Sequence, residues 1–222
     1  SISVRPTSGA VNLNFLDHVT SIGGSFAIVD NFVLTSIGQM RNLRRIGGTL
    51  NITKNNALTD LRGLESVEEL GGRLTVNEDR ALVSLDGLDN LKTVGDGLVI
   101  LRADKLENLD GLAALEEIGG SIIVAFNMKL NSLEGLASVT SLGGEFSIST
   151  NPMLASLRGP DRLLESFNGD VNLRFSPALK DLGALRERTA LGGDLEISGS
   201  TAPLNLEGFS NLREIAGTLD IT

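Results

Sequence analysis

The chain has 222 residues, 41% of them hydrophobic, a formal charge of −9 and no cysteine. That balance argues against nucleic acid, whose binders cluster Lys and Arg, and against an anionic membrane surface. Without cysteine there are no disulfides, thiolate metal sites or thiol nucleophiles, and no apolar run approaches the roughly 18 residues that would insert directly into a bilayer.

In chain order, residues 1–22 read as a degenerate first rung ending in Val19 and Ile22. A glycine pair then marks a period. Gly23-Gly24 recurs as Gly47-Gly48, Gly71-Gly72, Gly95-Asp96, Gly119-Gly120 and Gly143-Gly144, 24 residues apart each time. After one extra residue the mark returns as Asn168-Gly169, then as Gly192-Gly193 and Ala216-Gly217. Residues 23–215 are therefore regular rungs and 216–222 an incomplete last one. No linker interrupts them, so 1–222 is a single solenoid domain.

Behind each glycine pair, apolar residues alternate, as in Phe26/Ile28, Leu50/Ile52, Leu98/Ile100 and Phe146/Ile148. Period two predicts a strand with one buried face. Further on the spacing becomes three, as in Leu58, Leu61, Leu64, Val67 and Leu70. On an α-helix such steps drift about 60° backwards each time, so no single face would stay buried. The pattern suits a coil whose short segments and corners each send one residue inward. The glycine pair marks a corner needing a positive φ or a close backbone approach. Stacked rungs about 4.8 Å apart give an all-β chain of about nine turns, a parallel β-helix roughly 40 Å long.

Eight residues after the first glycine stand Asn31, Asn55, Asp79, Asn127 and Asn151. Amides stacked at a tight corner can bond the backbone of their own rung and the next, so this column reads as a structural ladder. The extra residue near Gly159-Pro160-Asp161 predicts a local bulge at one corner.

The pattern GG-x-L-x-I-x-x-N-x-x-L-x-x-L-x-G-L-x-x-L-x-x-I resembles the receptor L domain, related to leucine-rich repeats, over roughly residues 19–222. The resemblance implies a right-handed β-helix and an extracellular or cell-surface recognition or structural module without enzymatic activity. The chain departs from the receptor pattern in lacking flanking cysteines and Trp.

On a solenoid the core fixes the shape, and function falls on outward columns. Two groups stand out. Val99, Leu101, Ile123 and Ala125 form an apolar island over two adjacent rungs, with Phe126 beside it; it reads as a protein-partner contact, the plainer alternatives being a loop folded over it or a tolerated β-branched surface. Glu145, Asp170 and Asp194 stack in one column and Glu196 and Asp220 in the next. Like charges about 5 Å apart repel, so a cation, calcium by ligand type, or a basic partner would relieve them. A solvated acidic face is the plainer reading, and no cofactor is expected. Carbohydrate-active β-helix enzymes also use carboxylate clusters, but only Arg174 stands nearby as a basic group. His18, the sole histidine, forms no metal set or nucleophile triad. No residue is assigned a catalytic or metal-binding role.

A glycan partner would have only Phe126 and Phe175 as stacking platforms, because Trp and Tyr are absent. Asn51-Ile52-Thr53 is an N-glycosylation triplet on an outward position. The last rung breaks off directly after its strand. This leads to an expectation of continuation, or of another copy pairing on the edge in a self-assembling filament or surface layer.

Overall fold

A computed structural model describes residues 1–5, 13–38 and 40–222. The chain winds as a parallel β-solenoid. Ten parallel strands form one long sheet: Ile2–Val4, Phe26–Val29, Leu50–Thr53, Leu74–Asn77, Leu98–Leu101, Ile122–Ala125, Phe146–Ser149, Val171–Arg174, Leu195–Ser198 and Leu219–Ile221. Register holds at one repeat throughout, so Leu50 pairs with Leu74 and Leu74 with Leu98. The first rung carries its own strand, with Ile2 opposite Phe26. Two-residue strands just before the glycine pairs form a short six-stranded sheet from Ser21–Ile22 to Ser141–Leu142.

The spacing of three has a direct cause. Backbone N–H groups bond three residues back in succession: Leu58 to Asn55, Leu64 to Leu61 and Val67 to Leu64. Such bonds advance the chain three residues per turn and bring i and i+3 to the same side. The same bonds recur at Leu82, Leu88 and Leu91, and tighten into short 3-10 segments such as Asp110–Leu112 and Glu134–Leu136. Each turn points its leucine into one continuous core, where Leu58, Leu61 and Leu64 are fully buried.

The glycine pair serves close approach and not a positive φ. A Cβ on Gly71 would lie 2.4 Å from the Gly47 carbonyl oxygen one rung away, and the same conflict repeats along the stack. Positive φ occurs at another glycine of the repeat, at Gly63, Gly87 and Gly159.

The inserted residue yields a helix, Asp161–Ser166, where the bulge was expected. Pro160 precedes it, with φ already set for helix entry. The helix occupies the place of a short-sheet strand, and that sheet resumes only as the pair Ala190–Leu191 and Glu214–Ile215. Arg188, buried and in no ion pair among the described residues, donates to the Leu164, Phe167 and Ala190 carbonyls. It thereby satisfies backbone acceptors at the helix C-terminus. Burial lowers its pKa from the ordinary guanidinium value. Among the described residues no helix is long and apolar enough to cross a membrane.

Candidate functional site

The corner at which each rung leaves the long sheet sets one inward column and one outer edge. On the strand, residues alternate in and out, so Ile28 is buried and Val29 partly covered. Continued alternation would send residue 30 inward and Asn31 outward. The chain reverses this with a left-handed residue at the corner: Asp30, Lys54, Glu78, Arg102, Phe126, Thr150 and Phe175 all have φ between 51° and 61°. The reversal turns the following amide into the core and leaves the left-handed side chain on an outer edge.

The inward amides form the expected ladder. Asn31 N–H donates to Asn55 Oδ1 at 3.2 Å, and Asn127 N–H donates to Asn151 Oδ1 at 3.1 Å. Each amide nitrogen also reaches a strand carbonyl in the rung before, as Asn55 Nδ2 does to Ile28 O at 2.9 Å and Asn151 Nδ2 to Val124 O at 2.9 Å. Asp79 continues the column through Oδ1, which accepts Asn55 N–H at 2.6 Å and Asn55 Nδ2 at 3.0 Å. Its Oδ2 is buried without a hydrogen-bond partner, where its neighbours carry a donating NH2. Burial pushes the Asp79 carboxyl from 3.8 up to about 6; hydrogen bonds from Asn55 and Asn77 oppose the shift and the nearby Glu78 charge adds to it. Beyond Asp79 the ladder is broken by Ala103, which offers no side-chain acceptor.

The apolar island on the sheet is smaller than the sequence suggested. Val99, Leu101 and Ile123 are half-buried in the two central strands, and Ala125 is only 3% exposed. A methyl group between two larger neighbouring rungs is covered by them, which corrects its place in an exposed island. The pronounced apolar surface lies on the edge instead. Phe126 is 43% and Phe175 61% exposed, with Met128 and Met153 exposed between them. Arg102 stacks over the Phe126 ring at 5.0 Å from its centroid. Phe32, Val33 and Val83 lie on the same edge toward the N-terminal end.

The acidic column has a structural employment that the sequence reading did not foresee. Asp170 Oδ1 accepts Asp194 N–H at 2.9 Å, and Asp194 Oδ1 accepts Thr218 N–H at 2.7 Å. Ser25 does the same for Thr49 N–H, and Ser121 for Glu145 N–H, at equivalent positions in their rungs. The column is thus a second ladder, in which any side-chain oxygen serves. The sequence held the signal: Ser25, Thr49, Ser121, Asp170 and Asp194 are all acceptors. Glu145 accepts from Asn172 Nδ2 at 2.8 Å, and Glu196 pairs with Arg174. Asp220 is exposed on the last strand. Among the described residues, no group of three or more His, Asp or Glu converges as a metal site.

His18 is exposed. Asn51 is half-buried on its strand and accepts the Thr53 hydroxyl at 2.6 Å.

The geometry defines a parallel β-solenoid with one inward and one outward polar ladder and an apolar outer edge. No family model and no curated protein matches the chain.

Proposed function

We propose that the chain is a non-enzymatic recognition or scaffold module of the cell surface or extracellular space, similar in plan to the receptor L domain. It works by rigid display: the core and the ladders fix the rungs, and outward side chains meet a protein partner. The observation that carries this reading is the gathering of exposed apolar side chains on one edge. Scattered apolar residues are ordinary on a protein surface, whereas a contiguous group marks an interaction site. Four of the five carboxylates that could have served hydrolysis are already engaged, Asp170 and Asp194 with backbone N–H groups, Glu145 with the Asn172 amide and Glu196 with Arg174. That supports recognition over carbohydrate chemistry.

Two measurements test the reading. Light scattering over a concentration series, with and without calcium, should give one mass throughout. Growth into rods would replace display with self-assembly as the function. Panning a phage library of short random peptides against the immobilised chain should enrich binders, and a library that never enriches would overturn the recognition reading.

A further inference from the structure

Resting on that reading, we propose that the contact surface is the left-handed edge of the rungs from Arg102 to Lys180. Its partner would be a protein segment bearing acidic side chains around aromatic or aliphatic anchors. Three independent observations point there.

The first is position. Between Ile46 and Arg188, every large exposed hydrophobic among the described residues follows a long-sheet strand on this side of the rungs, and four of the five, Phe126, Met128, Met153 and Phe175, fall within this stretch. The stack is continuous: Phe126 N–H bonds Ser149 O, and Thr150 N–H bonds Arg174 O, so the corners carrying Phe126, Thr150 and Phe175 lie directly over one another. With rungs about 4.8 Å apart, the two rings stand roughly 10 Å from each other, a span that one extended segment can cover.

The second is conformational cost. A bulky residue with positive φ is an outlier, because its Cβ crowds the carbonyl oxygen that follows. Phe126 and Phe175 are both held there, at 61° and 52°. The fold would be served as well by glycine, which stands at the equivalent corner as Gly199 with φ 68°. Neither ring recovers the cost through full burial. Stability therefore does not account for aromatic residues at these two corners, and contact with a partner does.

The third is charge. On a chain of −9, this stretch of edge carries exposed Arg102, Lys105, Lys129 and Lys180, none of them in an ion pair among the described residues. Asp104 beside them is paired with Arg80, which leaves Glu107 as the one unpaired acid of the group. A cationic rim around apolar anchors is complementary to an acidic segment and repels a basic one.

The test uses the peptides enriched by panning and the 222-residue chain. Enriched sequences should carry Asp or Glu flanking Phe, Leu or Met. Their affinity should fall roughly tenfold or more in Phe126→Gly and in Lys105→Glu/Lys129→Glu, with binding weaker at high salt. Enriched peptides without an acidic bias would overturn the proposal, as would peptides held equally well by both edge variants. Peptides lost in Ile123→Asp but kept by the edge variants would move the contact to the sheet face, overturning the edge while sparing the recognition reading. If no peptide enriches, or if only vesicles of phosphatidylcholine and phosphatidylserine bind the chain, both fail.

Discussion

The middle rungs and the last rungs are built from one repeat but are held differently. From Leu50 to Ile148, both inward residues of every long-sheet strand are fully buried, each packed between a rung above and a rung below. In the last rung, Leu219 and Ile221 occupy the same inward positions and are 37% and 38% exposed. Each pairs with the preceding strand alone. Identical side chains in identical places thus differ in burial according to their neighbours. Stability in such an array is a sum of interfaces more than of rungs. The two regions differ in polar support as well: asparagines line the corners of the middle rungs, whereas Ser176 takes over later and a buried Arg188 secures the inserted helix.

The sharpest way to probe this contrast is one truncation in each region. Leu109→Ala removes a fully buried side chain and should cost about 2–5 kcal/mol, whereas Leu219→Ala should cost under about 1 kcal/mol. Equal losses in denaturant titrations would contradict a nearest-neighbour account.

Next in size is the pH dependence of Asp79. Its folded pKa is raised from 3.8 to about 6, so the folded chain binds the proton more tightly than the unfolded one. The associated stability is fully present below about pH 4 and is lost as pH rises through about 6. Asp79→Asn restores the donating amide of the ladder. Relative to wild type it should be up to about 3 kcal/mol more stable at pH 8, with the gap closing toward pH 4. An unchanged pH slope in the variant would place the titration elsewhere.

Arg188→Ala sharpens the account of the later rungs. It strands carbonyls at the end of the helix Asp161–Ser166 and should cost about 1.5–3 kcal/mol. Hydrogen exchange should quicken around that helix and leave the rungs of Leu50–Ile148 protected. Arg188→Lys should rescue only part of the loss, because an ammonium cannot reproduce the planar fork that reaches three carbonyls.

How much of this could be read in the sequence depended on whether a position demands a residue type. Core leucines, strand alternation and the Asn31–Asn55 column were legible because burial and hydrogen bonding select a narrow set of side chains. The left-handed corner was not. It accepts Asp, Lys, Glu, Arg, Phe and Thr, because the conformation is imposed by the reversal between strand and inward amide. The one hint was Gly199 at the equivalent position. The strand Ile2–Val4 was missed because no glycine pair precedes it, although Ile2 and Val4 alternate as the others do. Gly159-Pro160 marked a disturbance, but one extra residue does not distinguish a bulge from a short helix. On the acidic column, charge drew attention away from what its members share, an oxygen placed to receive the next rung's N–H.

The most direct measurement is thermal unfolding of the Phe126→Gly/Phe175→Gly chain beside its affinity for an edge-binding peptide. Glycine relieves two strained corners, by up to about 1 kcal/mol per site offset by the lost Arg102 contact, so Tm should hold or rise slightly while binding falls at least about tenfold. A lower Tm with binding intact would make the rings part of the fold's own support and contradict the edge as a recognition surface.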